Sequence, residues 1–376
     1  MGISNLGKVN ILIFLTKLIT GAVNFFLPLY LFAIKLSGIE IGTLIGTYAI
    51  AGLFISLPTG IANDRLSTKQ SLILGLIAMG ISLFGMAFFR EFLLLLPCFL
   101  IGGFGYNISS VSLQSIVLKG EHKKNEEGKK LGKFNLFLYL GSATGFLLGG
   151  ITLTFINFQS FFQAAGILLF CIAILALFLN DSKTSQIHVE EYKKDFMTKK
   201  VLLFLIPLLL FTFHWGAETT SYALFLKQAF SLDTGMMGIY MSIPVICLAI
   251  VSYFGGKWID KKGAYKKMFL FAILISGIGH ILMIYPNLYV SFFFRVMHEI
   301  GDGLAMIAII FWTAKLFEKE KIGGHSSAIT TLSLCAQFLG SVIFGPVGES
   351  FGYGIPLAIS GALILIAIPF VMLSKK

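Results

Sequence analysis

The sequence predicts an all-α membrane protein in which twelve transmembrane helices form two pseudo-symmetric six-helix bundles. Of its 376 residues, 56% are hydrophobic and 12% are charged, and a soluble domain has roughly twice that charged share. Apolar runs of about 18 residues or more, enough to cross a ~30 Å hydrocarbon layer, recur along the chain. A polar stretch at the midpoint separates two halves that share a loop motif.

Each apolar run is taken as a helix because unpaired backbone polar groups are costly in lipid. The predicted spans are 9–34, 40–61, 71–89, 92–118, 134–156, 160–180, 201–227, 232–256, 267–286, 288–316, 326–348 and 354–373. Of the 29 Lys and Arg, 24 lie at the termini or in loops that precede odd-numbered spans. Positive charge marks the cytoplasmic side, so both termini are expected there, in a multi-pass protein of the cell's cytoplasmic (inner) membrane. The net charge of +11 therefore requires no nucleic-acid partner.

The polar stretch "DSKTSQIHVEEYKKDFMTKK" (181–200) is typical of a solvated cytoplasmic linker. It divides the chain into an N-terminal bundle (1–180) and a C-terminal bundle (201–376). "GIANDRLSTK" (60–69) and "GKWIDKKGAYKK" (256–267) both place Gly four residues before Asp, with a basic residue following. Repetition of one loop pattern at the half-chain spacing indicates that one unit is used twice.

These loops resemble the signature of the major facilitator superfamily, Gly-x-x-x-Asp-Arg-x-Gly-Arg-Lys, and the likeness extends over essentially the whole chain. Ser67 replaces the second glycine in the first copy. The resemblance implies two six-helix bundles that rock around a central cavity, as in drug:proton antiporters. The matching residues are Gly60, Asp64, Arg65 and Lys69 in the first copy and Gly256, Asp260, Lys261, Gly263 and Lys266 in the second.

A gating role is expected for the loop residues. Asp64 is suited to the positive N-terminus of a helix in the other half, such as span eleven, which opens near His325. Arg65 and Lys69 are suited to pairing with nearby acidic groups. Contacts of this kind hold one side of the cavity closed in one state and break in the other. The alternative is that these charges only set topology.

Span five carries glycines at the spacing of the superfamily's antiporter motif, although Phe146 takes the place of the family proline. Small residues at such intervals allow helices to approach closely. The motif therefore implies either antiport or general helix packing. Its glycines are Gly132, Gly141, Gly145, Gly149 and Gly150.

Span ten contains "RVMHEIGDG" (295–303) within an otherwise apolar run. At 100° per residue, Arg295, His298, Glu299 and Asp302 fall within an arc of roughly 100°. An ionised carboxylate facing lipid costs on the order of 3 kcal/mol or more, so this stripe is expected to face the cavity. Span seven has a similar pair one turn apart in "HWGAET", and in the superfamily fold spans seven and ten both line the cavity. That pair is His214 and Glu218.

Buried carboxyl groups favour a proton-coupling site, because burial disfavours their charged form. We expect Glu299 or Glu218 to carry the proton, with Arg295 as the partner that i, i+4 spacing places beside Glu299. A static ion network between helices is the alternative.

Other polar residues of the predicted spans have less specific expectations. Lys17 is expected either to extend towards the cytoplasmic surface or to meet a cavity acid or an anionic substrate. Asn24 and Asn107 are expected to line the cavity or to bond one helix to another. His280 is expected to be a satisfied interior histidine.

The absence of a GxxxxGK[ST] pattern disfavours ATP-driven transport. The sequence favours a proton-coupled secondary active transporter that exports small amphipathic or cationic molecules by alternating access. It is expected to act as a monomer, without a cofactor and without enzymatic activity. A divalent transition-metal transporter and an importer of a small metabolite remain alternatives. A remote one is an intramembrane metalloprotease, because His298-Glu299-x-x-Asp302 mimics HExxH; the duplicated twelve-span plan argues against it.

Overall fold

The computed structural model describes residues 5–65, 67–119, 127–180, 198–317 and 322–374. This part of the chain forms twelve helices long and apolar enough to cross a membrane, which confirms the predicted fold class. The ends of α5 and α8 extend furthest beyond the predicted spans, by between one and two helical turns. The helices are α1 Asn5–Ala33, α2 Gly38–Arg65, α3 Thr68–Phe88, α4 Phe92–Lys119, α5 Glu127–Phe155, α6 Phe158–Ala176, α7 Lys199–Phe230, α8 Thr234–Lys262, α9 Tyr265–Leu282, α10 Leu288–Leu316, α11 Ile322–Phe351 and α12 Gly354–Leu373.

Short polar residues fix where several helices begin. Each accepts a hydrogen bond from a backbone N–H of the first turn, which would otherwise lack a partner. Gly263 ends α8 with φ of +62°, a conformation that favours glycine. Two positions of the loop motifs, Ser67 and Gly263, thus mark a helix start and a helix end. The N-capping residues are Ser67, Asn157, Thr198, Asp233 and Asn287.

The hydrophobic interior has three parts. One cluster of buried side chains lies among α1–α6 and a second among α7–α12. The third contains residues of both halves, including Phe26 of α1, Tyr222 of α7 and Phe344 of α11. Because twelve helices alternate in direction, the chain begins and ends at one membrane face, here called the terminal face. The mixed cluster lies towards the other face, called the opposite face.

The halves meet most closely along α2 with α11 and α5 with α8. Near the opposite face, the Gly38 N–H donates to Glu349 Oε2 at 2.7 Å. A Cβ added to Gly42 would lie 3.4 Å from Gly345 Cα, and one added to Gly150 would lie 3.0 Å from Gly238 Cα. Backbone therefore packs directly on backbone, which holds the halves together at this face.

The glycines of span five have two different neighbours. Gly141, Gly145 and Gly149 pack on the backbone of α1, and a Cβ added to Gly149 would lie 2.9 Å from Ala22 Cα. Gly150 packs on α8 instead. Gly132 lies 3.3 Å from the Tyr253 ring by the same measure. The glycines of span five therefore pack α5 against its own half and against the other half.

Part of the predicted gate lies outside the described residues. This applies to the side chains of Asp64, Arg65, Asp260 and His325 and the surroundings of Gly60, and also to residues 181–197 of the linker. Gating therefore stays a prediction.

The described residues of the predicted gate lie near the terminal face. Lys69 Nζ donates to the Leu177 carbonyl at 3.4 Å, at the C-terminal end of α6. Lys261 is exposed, and a side chain at Gly256 would meet open space. Lys266 Nζ donates to the Ser374 carbonyl at 2.5 Å.

Candidate functional site

Seven ionisable side chains from three helices meet inside the C-terminal half, and we call them the histidine–acid cluster. The predicted stripe of α10 supplies four members, α7 supplies two, and α9 supplies one. Their proximity means that the predicted stripes of spans seven and ten do converge within the described chain. The members are His214 and Glu218 of α7, His280 of α9, and Arg295, His298, Glu299 and Asp302 of α10.

Arg295 bridges two carboxylates. Its Nη1 pairs with Glu218 on α7 and its Nη2 with Glu299 one turn along α10. The guanidinium also lies 4.4 Å from the centre of the Tyr222 ring, a cation–π contact. The Arg295 side chain is 3% exposed, so these partners replace its water. One buried cation is therefore shared between two acids on different helices.

Glu218 begins a π-helical turn, Glu218–Tyr222, in the middle of α7. Such turns disturb the regular backbone ladder and are frequent at functional sites. Thr220 Oγ1 donates to the Gly216 carbonyl at 2.8 Å, and Thr219 Oγ1 to the Trp215 carbonyl at 2.8 Å. The turn brings Glu218 and Tyr222 to Arg295, and it also packs against α1 and α2 of the other half.

The histidines lie on the other side of Glu218. His298 Nε2 is 3.2 Å from Glu218 Oε1 and 3.3 Å from His280 Nδ1. His298 Nδ1 is 3.0 Å from the Ser276 carbonyl. His214 Nδ1 contacts the Phe211 carbonyl, while its Nε2 is 3.3 Å from Asp302 Oδ2.

Asp302 is held by groups from α7 and α9. Ser276 Oγ donates to its Oδ1 at 2.7 Å, and Trp215 Nε1 donates to its Oδ2 at 3.3 Å. The side chain is 6% exposed. Such donors stabilise a buried carboxylate without neutralising it.

Lys17 lies in the other half, away from this cluster. Its Nζ donates to Tyr106 Oη at 2.9 Å and is 3.5 Å from Ser110 Oγ, both on α4. The residue is 8% exposed, and no carboxylate lies within 4 Å of it in the described chain. These contacts differ from two of the three expectations for Lys17, because its side chain neither extends to the surface nor pairs with a cavity acid. The third expectation, contact with an anionic substrate, stays a prediction.

The two asparagines also lie in the N-terminal half. Asn24 Oδ1 is buried without a hydrogen-bond partner and lines a cavity of about 10 Å³. Asn107 Nδ2 donates to the Gly103 carbonyl of its own helix at 2.8 Å. A Cβ at Gly52 would meet both Asn107 and Leu334 of α11, so Asn107 lies near the meeting of the halves.

The expectation of a satisfied interior histidine at 280 is wrong in one respect. His280 is fully buried, but its Nε2 has no hydrogen-bond partner in the described structure, and its Nδ1 faces His298. Ser276 was also missed. A signal existed, because Ser276 and His280 lie one turn apart in an apolar helix, the same spacing that identified His214 and Glu218.

Comparisons with known proteins agree with this architecture. The family model for the Major Facilitator Superfamily matches residues 9–226 and 208–376. The MFS-type transporter SLC18B1 of Rattus norvegicus is 26% identical over 367 residues, covering 88% of this chain and 77% of that protein. The quinolone resistance protein NorA of Staphylococcus aureus is 25% identical over 345 residues, covering 89% and 87%.

A solved structure shares the fold. It is that of a bacterial homolog of the human lysosomal transporter Spinster, in an inward-facing and occupied conformation. The TM-score is 0.80 at 14% identity, over 98% of this chain and 96% of that one. With twelve membrane-length helices and two family matches that together span the described bundles, the chain belongs to the major facilitator superfamily of membrane transporters.

Proposed function

We propose that this chain is a proton-coupled secondary active transporter that exports small amphipathic or cationic molecules by alternating access. The observation that carries the proposal is the sharing of Arg295 between Glu218 on α7 and Glu299 on α10. Because both carboxylates depend on this one buried cation, a movement of the helices separates one of them from the arginine.

Movement of α7 relative to α10 breaks one of the two ion pairs. A buried carboxylate without a partner is costly, so the released group takes up a proton. Glu299 is the proton site, because Arg295 is its hydrogen-bonding partner in the described chain, whereas Glu218 also meets His298. The π turn at Glu218 supplies a segment of α7 whose backbone ladder is already disturbed.

The balance of charge favours a cationic substrate. The cluster holds three carboxylates and one arginine, so its fixed charges are acidic. Trp215 and Tyr222 add aromatic surface beside those charges, which suits a cation with apolar groups. The likeness to NorA, a quinolone resistance protein, supports export of small organic molecules.

The terminal face is the cytoplasmic face, because the loops of that side carry most of the Lys and Arg. The loops around Asp64 and Asp260 close this face in one state and release it in the other. Their support is the repetition of the motif in both halves. The protein acts as a monomer, since one chain supplies both bundles.

The test uses proteoliposomes with an acidic lumen that contains a pH-sensitive dye. Tetraphenylphosphonium, added outside in the presence of a chelator, is expected to trigger proton release from vesicles with the wild-type protein. Glu299→Gln is expected to reduce the initial rate at least about a hundredfold, the loss typical of a missing proton-transfer group. Glu91→Gln is the matched control, because Glu91 is exposed near the opposite face.

Two outcomes would count against the proposal. If Glu299→Gln retains the wild-type rate while Glu218→Gln loses it, the proton site is misassigned. If neither this probe nor other lipophilic cations release protons beyond protein-free vesicles, proton-coupled export of such cations is wrong.

A further inference from the structure

We propose that His214, His280 and His298 form a binding site for a divalent transition-metal ion, with Glu218 or Asp302 completing the coordination. The inference concerns binding and stands apart from the proposed transport of organic cations. It rests on the spacing of the donor atoms, on the tautomers that the neighbouring carbonyl groups impose, and on a buried nitrogen atom of His214 that makes no regular hydrogen bond.

The donor atoms have the spacing of ligands around one small cation. One ligand atom from each of the three histidines lies within 4.8 Å of the others, and the same holds for His214, Glu218, His298 and Asp302. Tetrahedral ligands at 2.0–2.1 Å from zinc stand roughly 3.3 Å apart. The separation of His280 Nδ1 from His298 Nε2 is 3.3 Å, and that of His214 Nε2 from Asp302 Oδ2 is also 3.3 Å.

Backbone carbonyls orient two of the imidazoles. A carbonyl oxygen only accepts hydrogen bonds, so Nδ1 of His298 must carry a hydrogen to donate to Ser276, and Nδ1 of His214 must carry one to donate to Phe211. In the neutral ring this leaves a lone pair on Nε2 of each histidine. Metal-ligating histidines are commonly held in this way by a carbonyl group behind the ring.

The two Nε2 atoms then face other acceptors. His298 Nε2 faces Glu218 Oε1 at 3.2 Å, and His214 Nε2 faces Asp302 Oδ2. Two acceptors at this separation repel each other unless a positive species lies between them. Imidazole and carboxylate ligands together suit zinc, cobalt, nickel, iron and manganese.

One of the proposed ligand atoms makes no regular hydrogen bond. Nε2 of His214 is buried and lacks a hydrogen bond of regular geometry in the described structure, although Asp302 Oδ2 lies 3.3 Å away. Native proteins rarely leave buried polar atoms without such a bond, and a bound cation supplies the missing partner. The side chain of Glu218, 17% exposed, is the least buried member and gives an ion a way in.

The experiment is a titration of the purified full chain in detergent with Co²⁺, after removal of any polyhistidine tag. We expect visible absorption bands of four-coordinate cobalt that saturate at one ion per chain. We also expect Co²⁺ to raise the midpoint of thermal unfolding, because an ion that binds only the folded protein stabilises it. Neither readout requires transport, so failure of this proposal and failure of the proposed export are distinguishable.

Variants locate the ion. His280→Gln is expected to weaken cobalt binding at least about tenfold, and Ser276→Ala, which removes a hydrogen bond behind the ligands, by a similar or smaller factor. His188→Gln in the linker is the control and should bind like the wild type. Absence of saturable visible bands in the wild type overturns the proposal, and so does an unchanged affinity in both His280→Gln and Ser276→Ala.

Discussion

The two halves of the molecule share a scaffold but differ in their buried chemistry. In the C-terminal half, position 295 of α10 is an arginine that joins two acids. The corresponding position of α4, 197 residues earlier, is Cys98. Cys98 Sγ contacts the Leu94 carbonyl at 3.4 Å, and its backbone carbonyl accepts from Ser82 Oγ at 2.7 Å. A neutral packing position in one half is thus the centre of the charge network in the other.

This difference has a physical reason. Each buried charge needs partners close by. An arginine on α10 therefore favours acids near it, and those acids in turn favour hydrogen-bond donors on α7 and α9. The buried charge that the N-terminal half does contain, Lys17, has neutral partners of its own, Tyr106 and Ser110. The scaffold is therefore duplicated, while most of the buried ionisable groups of the described chain collect in the half that contains the arginine.

The largest effect is expected from Arg295→Met. Without the guanidinium, Glu218 and Glu299 are left buried and close to each other, and loss of one partner of a buried pair costs about 3–5 kcal/mol. We expect the midpoint of thermal unfolding in detergent to fall and cation-triggered proton release to disappear. Arg295→Lys keeps the charge but does not bridge two acids in the same way, so it should restore stability more than transport. Wild-type transport in Arg295→Met would refute the central role of this residue.

The broad architecture was predictable because it depends on properties that a single chain displays. Spans follow from hydropathy, and the repeated loop motif predicts the two halves. The stripe on α10 follows from helical periodicity, since Arg295, Glu299 and Asp302 share one face whatever the neighbouring helices are. Convergence of α7 on α10 was predictable through the family resemblance.

The remainder depends on how separate helices are placed against one another. A lone histidine on α9 fits both a packed interior and a ligand set, and only the position of α9 beside α10 brings His280 to His298. The π turn of α7 and the Tyr222 ring over Arg295 have no periodic pattern in the sequence. Lys17 has the partners Tyr106 and Ser110, which are neutral and carry no charge signal that pairs them with a lysine.

A smaller effect distinguishes contacts within a half from contacts between halves. A Cβ at Gly150 would lie 3.0 Å from Gly238 Cα across the interface, whereas one at Gly145 would lie 2.8 Å from Ala22 N inside the N-terminal half. Overpacking by a methyl group costs about 1–3 kcal/mol. Gly145→Ala should therefore lower the thermal unfolding midpoint. Gly150→Ala should leave that midpoint nearer the wild-type value. It should change the transport rate instead, by roughly tenfold for each 1.4 kcal/mol by which it alters the free-energy difference between the two conformational states of the transporter.

Unfolding midpoints and initial transport rates of the two glycine variants, measured in the same lipid, separate the effects. Gly149→Ala is the control. Gly149 is adjacent to Gly150 in sequence but packs on α1, as Gly145 does, so this variant adds a methyl group that faces the protein's own half. If Gly150→Ala lowers stability as much as Gly145→Ala and transports at the wild-type rate, the contact between α5 and α8 has no part in the change of state.

The smallest effect is expected from Lys17→Met, which removes the buried cation of the N-terminal half. Its described partners, Tyr106 and Ser110, are neutral, so the substitution leaves no charge without a counterion. Loss of hydrogen bonds to a charged group costs about 1.5–3 kcal/mol, partly offset because the lysine no longer has to be buried. We expect a small fall in the unfolding midpoint and proton release within a few-fold of the wild-type rate. A loss of transport as complete as that of Arg295→Met would mean that Lys17 contacts the substrate, and that the chemistry is divided between the halves after all.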